Sequence, residues 1–157
     1  MLHVKVIAVG RLKEKFWAEA CAEYLKRLKS YAFVEVVEVA DIDPATCGGP
    51  HVAMEREGDA ILRAIPEFSY VVLLDIQGKL MSSEAMASQV EILTLEGTSE
   101  VVFVVGGSCG VSEAVKQRAN EKWSFGRITL PHNLARVVLL EQIYRVFKII
   151  KKEPYHK

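Results

Sequence analysis

Five consecutive apolar residues, Val101-Val-Phe-Val-Val105, run directly into Gly106-Gly-Ser-Cys-Gly110. A run with no polar alternate reads as a central strand buried on both faces, and such strands belong to sheets covered by helices on each side. The glycines that follow let a ligand approach bare backbone. The segment is no phosphate loop: Val105 stands where a dinucleotide fingerprint needs its first glycine, and no Gly-Lys-Ser/Thr follows. A small-molecule site is expected at the end of this strand, its ligand open.

The rest of the chain supplies the layers that such a strand needs. Leu2 to Val9 reads as a strand ending at Gly10, and Lys13 to Ser30 as a helix with Phe16, Trp17, Ala20, Cys21, Tyr24 and Leu28 at helical spacing. Phe33 to Val39 is β-rich, and Asp41 to His51 has the composition of a mobile loop. Val52 to Ile65 is weakly helical, and Tyr70 to Ile76 is an apolar strand closed by Gln77-Gly78-Lys79. Ser82 caps a helix that buries Met86, Val90 and Leu93 and stops at Gly97. Ser112 caps a helix running to about Lys122, Trp123 to Leu130 is a short last strand, and a final helix runs from Pro131 to about Lys151. Nearly strict alternation predicts an α/β fold with a mostly parallel sheet sandwiched by helices. The 157 residues, half of them hydrophobic, predict one domain over 1–157.

Twenty basic residues balance twenty acidic ones, so a nucleic-acid partner must be met by a local patch. Cys21, Cys47 and Cys109 match no zinc or redox spacing and read as free thiols in a reducing cytoplasm. No signal peptide is expected, because Lys5 interrupts the N-terminal apolar segment. Leu134 to Ile150 is broken by Arg136, Glu141, Arg145 and Lys148, so it reads as a core helix and not as a membrane span. His3 and His51 lack partners at ligand spacing, and no metal is expected.

On a helical wheel the final helix spreads Val138, Ile149, Ala135, Val146, Leu139, Ile150, Ile143, Phe147 and Leu140 over an arc of roughly 200°, about twice what a one-sided helix needs. A copy of the same helix across a two-fold axis would cover the second flank, which predicts a homodimer. The tail gathers Arg145, Lys148, Lys151, Lys152, His156 and Lys157 against Glu153 alone, with Tyr144 and Tyr155 among them. Cations interleaved with aromatic faces suit phosphate contact and base stacking, although such a run also serves as an ordinary solvated face. Cys109 and His132 are a conceivable nucleophile pair without a third orienting residue; the plainer reading is a loop thiol beside an unrelated histidine.

Three blocks read together carry a family resemblance: Leu74-Asp-Ile-Gln-Gly-Lys79, Val104-Val-Gly-Gly-Ser-Cys-Gly110 and Leu130-Pro-His-Asn-Leu-Ala-Arg136, with the ending Glu153-Pro-Tyr-His-Lys157. Along its whole length, from Ala8-Val-Gly10 onwards, the chain resembles the RlmH family, ribosomal large-subunit (23S) rRNA pseudouridine N3-methyltransferases of the SPOUT superfamily. The resemblance implies a trefoil knot in the C-terminal half, an exception to the rule against threaded chains. It implies S-adenosylmethionine held by backbone around Leu74, Gly106 and the segment Gly126, Arg127, Ile128, Thr129, Leu130 and Pro131. It also implies a homodimer with each cofactor near the other copy's C-terminal helix, and a ribosomal substrate carrying a pseudouridine of the 1915 type. Arg136, Arg145, Tyr155 and His156 are, by resemblance, the residues at the RNA and target base, with the two arginines on phosphate or a developing imide anion and His156 a candidate base. The structural alternative for Arg136 is a salt bridge to a nearby carboxylate such as Glu141. Two other functions compete: a non-catalytic ribosome-binding factor that keeps the cofactor pocket, and a hydrolase using Cys109.

Overall fold

A computed structural model describes every residue from Met1 to Lys157. In chain order the elements are β1 (His3–Val9), α1 (Lys15–Leu28), β2 (Phe33–Val39), α2 (Pro44–Cys47), α3 (Pro50–Ala64), β3 (Tyr70–Leu80), α4 (Ser83–Leu95), β4 (Glu100–Val105), α5 (Glu113–Arg118), β5 (Glu121–Ser124) and α6 (His132–Ile150). The strands form one five-stranded sheet in the order β2-β1-β4-β3-β5, and every neighbouring pair is parallel. The α/β sandwich expected from the alternation is what forms.

Residue alternation decides which helix covers which face. On β1, Val4, Val6 and Ala8 enter the core shared with α1, α4 and α6, while Ile7 and Val9 enter the core under α3 and α5. β4 splits the same way, with Val101, Phe103 and Val105 on one side and Val102 and Val104 on the other. A strand with apolar residues at both parities therefore serves two cores at once, which is why its sequence shows no polar alternate.

Several local expectations are corrected. Asp41 to His51 is not an irregular loop: Asp43 Oδ1 accepts the Ala45 N–H at 2.9 Å, Pro44 opens the short helix α2, and Gly48 ends it at φ 108°. Pro50 then opens α3. The helix expected to reach Lys122 stops at Arg118, whose guanidinium donates to the Pro66, Glu67 and Ser69 carbonyls. Asn120 joins the sheet at Val71 through both its backbone N–H and its Oδ1. The last strand is accordingly earlier and shorter than expected, ending at Ser124 because the Ser124 hydroxyl bonds both the N–H and C=O of Gly126 and turns the chain.

The Gln77-Gly78-Lys79 segment lies inside β3 instead of closing it. Leu74 and Lys79 both pair with Trp123, so Asp75 to Gly78 bulge out between them, and Asp75 Oδ1 holds the bulge by accepting the Gln77 N–H at 2.9 Å. A Cβ at Gly78 would lie 2.7 Å from the backbone C and O of Lys122. Backbone cannot yield as a side chain does, so Gly78→Ala is expected to cost about 2–3 kcal/mol, the scale of overpacking, and to loosen β5; urea denaturation checks it.

α6 lies between α1 and α4. Leu139, Leu140, Ile143, Val146 and Phe147 are buried and Ala135, Val138, Ile149 and Ile150 half-buried in the single chain. The wide apolar arc is thus covered largely by neighbouring helices of the same chain, and by itself it does not call for a second copy.

Candidate active site

The carboxyl ends of β3 and β4 part company: α4, which follows β3, covers one face of the sheet, and α5, which follows β4, covers the other. Such a switch point leaves a crevice beyond the strand ends. Here it is a cleft of about 570 Å³ walled by Leu74, Asp75 and Ile76 of the β3 bulge, Val105 to Ser108 and Gly110 of the glycine loop, and Trp123 to Ala135 in part. Of the residues expected around a cofactor, Leu74, Gly106, Gly126, Ile128, Thr129, Leu130 and Pro131 all line it; Arg127 does not.

Two features show what kind of ligand the cleft suits. The backbone groups of Arg127 to Leu130 lie outside every helix and strand and make no other backbone hydrogen bond. Those of Ile128 to Leu130 lie in the cleft wall, where they can offer donors and acceptors to whatever fills it, as a neutral heterocycle requires. Trp123 is 2% exposed, and its Nε1 has no partner. Gly106 must be glycine for packing: a Cβ there would stand 2.5 Å from Val111 Cγ2. The glycine loop closes on itself through a Gly107–Gly110 bridge.

The four expected catalytic residues divide. Arg145, Tyr155 and His156 come together through Glu141, whose Oε1 accepts from Arg145 Nε at 3.0 Å and from the Tyr155 hydroxyl at 3.1 Å. The Arg145 guanidinium lies 4.7 Å from the centre of the Tyr155 ring. Burial and the Glu141 carboxylate push the Tyr155 phenol above its usual range. The His156 ring sits between Arg145, 3.1 Å from Nδ1, and Glu84 Oε1, 2.6 Å from Nε2. Arginine only donates, so Nδ1 accepts and Nε2 carries the hydrogen given to Glu84. Further along the tail, Glu153 accepts from Lys148 at 2.8 Å and from Tyr31 at 2.5 Å, pinning the tail beside α1.

Arg136 is elsewhere. It is 2% exposed; one nitrogen bonds Glu38 Oε2 at 2.5 Å and another the Gly10 carbonyl at 2.9 Å. The alternative partner considered for it, Glu141, is held by Arg145 instead. Arg136 therefore fastens α6 to the ends of β1 and β2, with no face open to a substrate in this chain. Cys109 and His132 form no hydrogen bond, and only His132 reaches the cleft, so no nucleophile pair is assembled.

A family model described as a predicted SPOUT methyltransferase matches residues 2–156. The chain belongs to the SPOUT methyltransferase family. Its SPOUT relatives include the ribosomal RNA large subunit methyltransferase H of Listeria monocytogenes, 48% identical over 159 residues, with 99% of this chain and 100% of the relative covered. The protein of that name from Pelotomaculum thermopropionicum is 49% identical over 160 residues, covering 99% of each. The one from Enterococcus faecalis is 47% identical, with 99% and 100% covered. No helix of this SPOUT chain is long and apolar enough to cross a membrane, and no cluster of three or more His, Cys, Asp or Glu is arranged to hold a metal ion.

The SPOUT cleft also includes residues that reading the sequence missed, among them Asp75, Ile76, Lys116, Trp123 and His132. His132 and Trp123 lay within reach, since both flank the expected segment in sequence. Asp75 and Ile76 arrive through the bulge, whose sequence signal, Gly78 between Gln77 and Lys79, reads equally well as the end of the strand.

Proposed function

We propose that this chain uses S-adenosylmethionine to methylate N3 of a pseudouridine in 23S rRNA, at a site of the 1915 type, on assembled ribosomes in the cytoplasm. The observation that carries the reading is the cleft at the sheet's switch point, where the free backbone of Arg127 to Leu130 faces the glycine loop. When bound, the cofactor supplies an electrophilic methyl group on a sulfonium. The residues present fit it: Leu74, Gly106 and the stretch from Gly126 to Pro131 offer apolar walls and backbone amides to an adenosine. Arg127, outside the wall, contributes through its backbone. A trefoil knot formed by this half of the chain belongs to the same reading.

Transfer to N3 needs an aligned ring nitrogen that has lost its imide proton. Arg145, Tyr155 and His156 supply groups suited to both requirements, namely a fixed cation for the developing anion, a phenol, and an imidazole that can exchange its Arg145 and Glu84 contacts for the substrate. Arg136 acts on the chemistry by positioning α6, and not by touching RNA. Ala135 lies at the cleft, and Arg145 is about 15 Å further along the helix axis at 1.5 Å per residue. Reacting groups must approach to roughly 3 Å, so the tail of one chain serves the cleft of a second copy. That distance, more than the apolar arc, supports the homodimer. The relatives' names, ribosomal RNA large subunit methyltransferases, support the substrate class.

Reverse transcription of ribosomal RNA tests the reading, because a methyl on N3 blocks the Watson–Crick edge. RNA from cells with the protein is expected to give a stop that is absent from a deletion strain; a stop that persists in the deletion strain removes the enzymatic assignment and leaves a non-catalytic ribosome-binding role.

A further inference from the structure

Glu57, on α3, is 2% exposed and takes no part in the groups described above. Its Oε2 accepts the Ile42 backbone N–H at 2.9 Å, while Oε1 has no partner. A Cβ added to Gly107 would lie 3.1 Å from that oxygen, so the carboxyl group abuts the glycine loop that walls the cleft. The adjacent residue makes a second contact with the same region: a Cβ at Gly58 would collide with the hydroxyl of Ser112, which caps α5 just beyond the loop. α3 thus braces both ends of the segment from Gly107 to Ser112.

We propose that Glu57 is a positioning residue for the cofactor-binding loop: its buried carboxyl group holds the Ile42 N–H, packs against Gly107, and so keeps the loop in the shape that receives the ligand. The inference rests on reading the cleft as a cofactor site. Asp41 is the one charged group that bears on Glu57; β1 offers only Val9, the loop Gly107, and α5 Ser112. Beyond Asp41, His132 also lies by Gly10: a Cβ there would meet Asp41 Cβ at 3.7 Å and His132 Nε2 at 3.9 Å. Protonation would put a hydroxyl on the unpartnered Oε1, available to Asp41, while Oε2 keeps the Ile42 N–H. Burial, reinforced by Asp41, raises the Glu57 carboxyl above the usual glutamate range. The folded loop therefore favours the protonated form. The clasp is tightest below the usual range and is lost as pH rises through the raised value, when two carboxylates face each other.

The test compares wild type, Glu57→Gln and Glu57→Ala between about pH 5 and pH 8, by hydrogen exchange at the glycine-loop amides of the free protein and by calorimetric titration with S-adenosylmethionine. Wild type is expected to lose loop protection and affinity as pH rises. Gln keeps the shape and an N–H for Asp41 without titrating, so it should hold the low-pH protection and affinity across the range. Ala, which strands the Ile42 N–H and cannot titrate, should bind with a pH-independent affinity about tenfold below that of wild type at low pH, the scale of one lost buried hydrogen bond. The proposal is overturned if Gln follows the wild-type pH profile, or if folded Ala matches wild type in both measurements. Should Ala not fold, the Gln comparison decides alone. Loop exchange that behaves as described in a protein that binds no S-adenosylmethionine would uphold the brace and refute the cofactor reading.

Discussion

Removing Pro154 to Lys157 is expected to lower methyl transfer by about a thousandfold, the combined scale of a lost proton-transfer group and lost alignment, with cofactor affinity nearly unchanged. The separation follows from geometry. The cleft is built from the ends of β3 and β4, the stretch after β5 and the first turn of α6, whereas His156 and Tyr155 bond Arg145, Glu141 and Glu84, none of which lines it. Single-turnover transfer and calorimetric titration on the same preparation read the two quantities. Retained turnover would take the tail out of the mechanism, and loss of both would mean that the tail supports the fold of the cleft.

The second large effect is on stability. Arg136→Ala is expected to destabilise the protein by about 2–3 kcal/mol, below the usual cost of breaking a buried ion pair because the Glu38 side chain is 35% exposed and regains water. For a chain of this size that lowers Tm by roughly 5–10 °C. Arg136→Lys should recover less than half, since one ammonium cannot bond Glu38 and the Gly10 carbonyl in the geometry of a guanidinium fork. Well below its Tm, the Ala variant should keep turnover within about tenfold of wild type, as a loosened α6 misplaces groups without removing them. A variant of wild-type Tm and no turnover would return Arg136 to the chemistry.

Arg136 also marks how far the sequence reaches. The strand at Val101 to Val105 was legible because serving two cores forbids polar alternates, and the cleft was legible because its walls are continuous short segments at strand ends. The partner of Arg136 was not legible because Glu38 lies 98 residues away, whereas Glu141 is the carboxylate at local spacing. The apolar arc of α6 was read correctly as wide, but sequence cannot tell cover by α1 and α4 from cover by a second copy. The strand expected at Trp123 to Leu130 failed for a related reason. Ser124 and Gly126 turn the chain early, and the backbone this frees is the feature that makes the cleft suitable for a ligand. Glu57 gave no motif at all: a single glutamate in a segment that reads as weakly helical looks solvated until the fold buries it beside the glycine loop.

We propose that the cleft of one copy and the tail of the other together methylate a pseudouridine. The most direct measurement incubates the purified protein with methyl-labelled S-adenosylmethionine and ribosomes from a deletion strain, then digests the 23S rRNA to nucleosides for mass spectrometry. The label is expected in 3-methylpseudouridine alone, and to vanish with the tail-deleted protein. Label in any other nucleoside, or none with a protein that binds the cofactor, would contradict it.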